Sequence, residues 1–366
     1  MKRIGIAVLM ETIGGPRTYG YNLLKSLSSI DNENRYLVFT DNIDSFNNLG
    51  VEPVLVRLES LYALLLWDYL KLPYYITKHK IDIFHHTKNI VPLFTSRISV
   101  VTIHDLAPFI FPETFPIHHR IYLQRNMLRV STHAERIITV SQNSKKDIIN
   151  ILKVDEKKID VVYNGISDRF REIKDSGLIS GVRDKYNLWD KIILYVGTIQ
   201  PRKNVDILIK VFHSLKRENK IEHKLVIVGR EGWLSKPMHL LIRELNLEGE
   251  VFLAGSIPDE ELPIFYNMAD IFVYLSSYEG FGLSILEAMA CCTPVIASNI
   301  SSIPEVVGDS GILVNPKDLN EIKEAIIRLI SDRNLHNYYC QKGIERAGHF
   351  SWDRSAKEVI KVYNKL

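Results

Sequence analysis

The sequence predicts an α/β protein made of two parallel-sheet domains, and three observations carry that expectation. Apolar strand-like runs alternate with helix-like stretches through both halves, the pattern of parallel sheets whose crossovers are helices. The length, 366 residues, exceeds one ordinary core and suits two. A polar stretch from Gly165 to Asp190, with Asp168, Lys174, Asp175, Ser176, Gly177, Ser180 and Gly181, separates the halves and reads as a linker holding at most one helical segment.

In the first half, strands are expected near 3 to 9, 35 to 40, 52 to 56, 82 to 85, 98 to 103, 136 to 140 and 159 to 163. Helices fill the gaps, notably 18 to 29, 59 to 79, 117 to 133 and 143 to 152. The second half repeats the alternation, with strands near 191 to 196, 224 to 228, 250 to 253, 271 to 275, 294 to 297 and 311 to 314. The tail from Phe350 to Leu366 is an amphipathic helix for which Ser351 is a suitable cap. The expected domains are therefore 1–168 and 186–350, with a terminal helix over 351–366.

Bulk properties exclude several classes. With 46 basic and 43 acidic residues the formal charge is +3, too weak a field for a general nucleic-acid binder. Three cysteines, Cys291, Cys292 and Cys340, form neither a disulfide framework nor a metal-type spacing and read as reduced thiols of a cytoplasmic protein. Met1 to Leu9 runs straight into a strand without a signal-peptide pattern. The most apolar helix-length stretch, Leu58 to Tyr75, is broken by Glu59, Asp68 and Lys71, so it reads as a buried helix and not a membrane span. The aromatic and lysine side chains around that stretch could still rest on a bilayer as a peripheral membrane contact.

The chemistry gathers after strand ends. Ser277-Tyr278-Glu279-Gly280-Phe281-Gly282-Leu283 follows an apolar run and opens a helix that Thr293-Pro294 stops. A helix start at the carboxyl edge of a parallel sheet offers free N–H groups to a phosphate. Glu279 and Glu287 frame it and suit hydroxyl groups of ribose or sugar, although Ser284-Ile285-Leu286-Glu287 also fits a capping box and both readings of Glu287 stay open. Gly197-Thr198-Ile199-Gln200-Pro201-Arg202-Lys203-Asn204 puts two cations at a helix start, an unfavourable position that an anion between them would relieve. Gly14-Gly15 follows the first strand and lets backbone N–H groups approach an anionic oxygen, but lacks a dinucleotide fingerprint. His104, just past a buried strand, suits a sugar hydroxyl or proton transfer; neither it nor His85-His86 has metal-ligand spacing. No D-x-D occurs, so a divalent ion has no acidic pair to hold it and charge on a bound phosphate would be met by side-chain cations and helix dipoles; no cofactor or metal is expected.

Taken in order, these motifs resemble the retaining, nucleotide-sugar-dependent glycosyltransferases of family 4, whose members carry two glutamates separated by seven residues, as Glu279 and Glu287 are. The resemblance runs from Gly14-Gly15 to the terminal helix. It implies the GT-B fold, two Rossmann-like domains with parallel sheets facing across a cleft, with the terminal helix crossing back to the first. It also implies transfer of a sugar from a nucleotide diphosphate to the hydroxyl of a glycan or lipid-linked acceptor. In that scheme Arg202 and Lys203 hold the diphosphate, Glu279 and His104 orient the donor sugar, and Glu287 holds the ribose. Gly14, Gly15, Gly197, Thr198, Arg230, Gly280, Phe281, Gly282 and Leu283 line the donor site. The Gly197 to Asn204 stretch looks most like mannosyltransferase members, favouring GDP-mannose over a UDP-sugar. The chain departs from the family at Cys292, where glycine is usual, and at Thr198, where some relatives have arginine. A nucleotide-sugar epimerase of the same plan and a non-catalytic sugar-nucleotide-binding protein are the alternatives.

Overall fold

A computed structural model of the chain describes residues 1–9, 15–56, 67, 71–88, 98–232 and 238–366. They divide into two compact units: Met1–Ile110, Ile117–Gly165 and Phe350–Leu366 in one, Phe111–Pro116 and Ile166–His349 in the other.

The first unit holds strands β1 (Arg3–Ala7), β2 (Arg35–Thr40), β3 (Glu52–Leu55), β4 (Ile83–His86), β5 (Ile98–Ile103), β6 (Arg136–Thr139) and β7 (Ile159–Val161). They pair in the order β3-β2-β1-β4-β5-β6-β7, every neighbour parallel. Burial on both faces explains why these segments read as continuous apolar runs: β4 and the last five residues of β5 are wholly buried. Helices Gly15–Ile30, Ile117–His133 and Gln142–Leu152 lie among the strands in sequence. The helix expected over 59 to 79 is described only in part, as Leu72–Lys78, and the remainder, including Leu61 to Leu66, lies outside the described residues.

The Trp352–Asn364 helix belongs to this unit. Ser351 caps it by accepting from the Arg354 N–H, and Ser355 Oγ donates to the Tyr163 carbonyl at 2.6 Å. Gly165 is required at the junction, because a Cβ there would stand 2.1 Å from the Trp352 backbone nitrogen. Tyr363 Oη meets His85 Nδ1 at 2.6 Å, His85 Nε2 meets Thr102 Oγ1 at 2.8 Å, and Thr102 Oγ1 meets Tyr19 Oη at 3.0 Å. This buried polar chain ties the terminal helix, β4, β5 and the Gly15–Ile30 helix together.

The second unit holds β8 (Ile192–Val196), β9 (Lys224–Val228), β10 (Val251–Gly255), β11 (Ile271–Tyr274), β12 (Val295–Ser298) and β13 (Ile312–Val314), paired β10-β9-β8-β11-β12-β13 and parallel throughout. Numbered within the unit this is 3-2-1-4-5-6, the doubly wound order whose direction reverses between its first and fourth strands, here β8 and β11. Loops leaving the carboxyl ends of those two strands flank the crevice where such sheets take ligands.

The stretch expected to link the halves is instead built into the second unit. Asp175 caps a Ser176–Tyr186 helix that ends at Asn187 in a left-handed conformation. Lys185 and Tyr186 both reach Glu261, at 2.5 and 2.7 Å, and the Tyr186 ring lies edge-on to Phe265 at 5.1 Å. An aromatic ring and a shared carboxylate give this polar segment the anchorage that its composition did not advertise.

Candidate active site

The loop after β8 and the loop after β11 meet through Glu279. Lys203 Nζ bonds Glu279 Oε1, Arg202 Nη1 lies 3.4 Å from the same oxygen, and Tyr274 Oη donates to it at 2.8 Å. Lys203 Nζ also donates to Tyr274 Oη at 2.9 Å, and Arg202 Nη1 donates to the Tyr278 carbonyl at 2.7 Å. Lys203 and Glu279 are each 8% exposed, so neither of the two cations behaves as a solvated surface charge: Lys203 is buried and the Arg202 side chain is 13% exposed. Burial alone would raise the Glu279 pKa. Lys203 and then Arg202 outweigh it and hold the carboxyl down at about 2. The anion expected between Arg202 and Lys203 is thus already present as Glu279.

Backbone supports fix this carboxylate. Asn204 sits left-handed at the head of the Val205–Arg217 helix, and its Nδ2 donates to the Leu275 carbonyl and to Ser277 Oγ, both at 2.8 Å. Ser301 Oγ donates to the Glu279 carbonyl at 2.7 Å and accepts from the Glu279 N–H at 3.1 Å, while Ser302 Oγ donates to the same carbonyl at 2.9 Å. Glu279 is therefore held at both ends.

Gly282 has φ +106 and is the N-cap of the Leu283–Ala290 helix, with no side-chain cap. Ser284 lies inside that helix and Glu287 does not turn back on its start, so the capping-box reading is not the one adopted. Glu287 Oε2 instead accepts from Tyr266 Oη at 2.9 Å. Burial pushes the Glu287 pKa up to about 7, with the Tyr266 hydrogen bond opposing it. Two glutamates with seven residues between them thus occupy opposite electrostatic settings: one pinned as an anion, the other poised between its two forms near neutral pH.

Glycines complete the edge. Gly197, at φ +154, follows β8, and its N–H donates to the Val228 carbonyl at 2.9 Å. Gly229, at φ +141, passes so close that a Cβ would stand 2.0 Å from the Gly197 carbonyl oxygen. Thr198 is partly buried and its carbonyl accepts from Tyr195 Oη at 3.4 Å. Arg230 is exposed, joined to this loop by the Ile199 N–H donating to its carbonyl at 2.9 Å. Gly280 and Phe281 are buried, and Leu283 is partly so. Cys292 keeps the left-handed conformation that glycine adopts without strain, at φ +63, and its carbonyl accepts from Cys340 Sγ at 2.9 Å.

His104 and Gly15 belong to the first unit. Gly14 lies outside the described residues, and a Cβ on Gly15 would meet nothing within 4 Å. His104 Nε2 is 3.0 Å from the Thr87 carbonyl, so Nε2 carries the proton and Nδ1 of the neutral ring is an acceptor. Tyr19 lies edge-on to it at 4.9 Å, and burial lowers its pKa. His85 has both ring nitrogens engaged in the polar chain above. Sequence reasoning missed Tyr274, Tyr266, Ser301 and Ser302. Tyr274 ends an apolar strand, where a hydroxyl-tipped ring is the one hint available.

Two doubly wound parallel units, one presenting a helix start, a cation pair and two contrasted carboxylates at its switch point, have the architecture of the GT-B glycosyltransferases. Comparison with known proteins agrees. Residues 13–170 match the family described as Glycosyltransferase Family 4, and residues 183–346 match Glycosyl transferases group 1. The O-antigen chain mannosyltransferase B of Escherichia coli is 33% identical over 286 residues, 78% of this chain and 75% of that protein. The serotype-specific mannosyltransferase WbdA of the same species is 27% identical over 274 residues, 73% of this chain, and the matched part is 33% of its length. Among solved structures, HepE from Anabaena in complex with UDP-glucose superposes with a TM-score of 0.81 at 20% identity, covering 100% of each chain. The chain belongs to the family 4 glycosyltransferases.

Proposed function

We propose that this protein transfers a hexose from a nucleoside diphosphate donor to a hydroxyl of a glycan or lipid-linked acceptor in polysaccharide assembly, retaining the anomeric configuration and needing no metal. The single observation that carries this reading is the buried set of Lys203, Arg202 and Glu279 beside the Gly282-capped helix start. As the bond from the anomeric carbon to the diphosphate oxygen lengthens, negative charge grows on the diphosphate, and fixed cations with unpaired helix N–H groups stabilise it. The acceptor oxygen then bonds to the same face of that carbon, and its proton passes to the departing diphosphate oxygen. Glu287 is assigned the ribose hydroxyls, Glu279 the sugar, and His104 a sugar hydroxyl that donates to its Nδ1.

GDP-mannose is the favoured donor, supported by the Gly197 to Asn204 sequence and by relatives named as mannosyltransferases. Incubating the protein with GDP-, UDP- and ADP-sugars and following donor hydrolysis tests it. GDP-mannose turned over fastest is the expected result; a UDP-sugar ahead of it would overturn the donor assignment. Conversion of the donor to an isomer without acceptor would favour an epimerase.

A further inference from the structure

All three cysteines of the chain belong to the second unit, and two of them meet. The Leu283–Ala290 helix, which carries Glu287, runs out into Cys291 and Cys292, and the Arg333–Ala347 helix packs against it. The two approach closely at Gly343, where a Cβ would stand 3.4 Å from the Met289 Cα. Cys340 lies three residues before Gly343 on the same helical face, and Cys292 lies three residues after Met289. Cys340 Sγ accordingly donates to the Cys292 carbonyl at 2.9 Å, and the two thiols are within hydrogen-bonding reach of each other. His336, one turn earlier on the helix of Cys340, brings its Nδ1 to 3.7 Å from Cys340 Sγ. Its Nε2 donates to the Asp270 carbonyl at 2.9 Å, which leaves Nδ1 as the acceptor facing the thiol.

We propose that Cys292 and Cys340 are a peroxide-reactive dithiol that closes to an intramolecular disulfide and is reopened by thiol reductants. At rest all three cysteines are free. Cys292 is the attacking group: it is half-buried where Cys291 and Cys340 are buried, and the hydrogen bond from Cys340 lowers its pKa and favours the nucleophilic thiolate. Burial pushes the neighbouring Cys291 thiol far up, so that it stays protonated and inert. The Cys292 sulfur attacks one oxygen of hydrogen peroxide, the O–O bond breaks, and the departing hydroxide takes up the proton Cys292 gave up and leaves as water. Cys340 then passes its proton to His336 Nδ1 and attacks the sulfenic sulfur of Cys292. The S–O bond breaks, and the hydroxide leaves as water with the proton held by His336. Two thiols and one peroxide thus give one disulfide and two waters. The bond joins residues 48 apart in sequence, ties the end of the Glu287 helix to its neighbour, and keeps Cys292 off the irreversible sulfinic stage. Nothing in this inference rests on the donor chemistry, because the state of the thiols is read without any sugar transfer.

The test is treatment of the folded full chain with a small excess of hydrogen peroxide, followed by unfolding, thiol counting, intact mass and peptide mapping. Of the three thiols only Cys291 should remain, the mass should fall by two hydrogens, and the map should join Cys292 to Cys340. Dithiothreitol should restore all three. Cys291→Ala should close the same bond, whereas Cys292→Gly should keep both of its thiols at the same peroxide dose. Cys340→Ala should slow the first oxidation of Cys292 about threefold and leave a sulfenic acid that dimedone traps and that dithiothreitol no longer rescues once it is oxidised further. Melting temperatures of the variants before peroxide show that each is folded. Three thiols surviving in the wild type overturn the proposal. So does a bond between Cys291 and Cys292 or between two chains, or a Cys340→Ala variant whose Cys292 oxidises as fast and as reversibly as that of the wild type.

Discussion

Tyr266 donates its hydroxyl to Glu287 across 2.9 Å, and both side chains are buried. The tyrosine comes from the helix that precedes β11 and the glutamate from the helix that follows it. Since the bond favours the carboxylate while burial disfavours it, the pair leaves Glu287 near neutrality with a proton that a ribose diol would displace.

Glu287 is therefore expected to cost stability as pH rises. Its folded pKa of about 7 lies above the ordinary 4.5, so the folded state holds a proton that the unfolded state has lost between those values, and stability falls through that window. The full penalty is about 3 kcal/mol at pH 8. Glu287→Gln should flatten the slope and raise stability at pH 8 in urea titrations, while weakening nucleotide binding. A variant less stable than wild type at pH 8, with unchanged affinity, would count against this account.

Lys203→Ala strands a buried carboxylate. A loss of about 3–5 kcal/mol is expected, with turnover down about 10²- to 10³-fold. In the wild type the Glu279 pair contributes stability that is complete above pH 4.5 and disappears as pH falls toward 2, the depressed folded value. Lys203→Met combined with Glu279→Gln removes both charges and should recover most of the stability but none of the turnover. Chemical unfolding and initial rates measured on the same preparations separate the two effects.

Burial lowers the His85 pKa to about 3, so its neutral form is built into the fold. The unfolded chain binds a proton below about pH 6.5 that the folded chain refuses, and stability should decline as pH drops from 6.5 toward 3. Tyr363→Phe leaves His85 Nδ1 without its hydroxyl and should cost about 1–3 kcal/mol. Hydrogen exchange over residues 352–364 should rise most in that variant; exchange confined to other segments would remove the role given to this contact.

Cys292→Gly should be neutral or stabilising by up to about 1 kcal/mol, because the left-handed backbone strains any residue with a Cβ. The bond from Cys340 Sγ ends on the Cys292 backbone carbonyl and survives the change. A melting temperature clearly below that of the wild type would mean that the Cys292 side chain itself contributes packing.

Most of the sheet architecture was legible because strands buried on both faces leave unbroken apolar runs. For β2, β5 and β9 the expected and observed limits coincide. Arg202, Lys203 and Glu279 could be nominated because each lies in a polar loop directly after such a run. Their partners could not. Tyr274 looks like any strand aromatic until its hydroxyl is seen on Glu279, and Ser301-Ser302 resembles an ordinary turn until both hydroxyls reach the Glu279 carbonyl. The capping-box ambiguity at Glu287 was resolvable only by knowing that Gly282, and not Ser284, begins the helix. The segment 176–186 looked like tether because its polar composition hides two side chains that grip Glu261.

The Trp352–Asn364 helix completes a unit whose other residues are translated before the whole of 166–349. On the ribosome, the later-made unit can fold while its predecessor still waits with the Tyr363 half of a buried contact missing. Chains ending at residue 349 and freed from the ribosome should thus expose a protease-sensitive amino-terminal unit beside a finished carboxyl-terminal one, reversing the usual order of maturation.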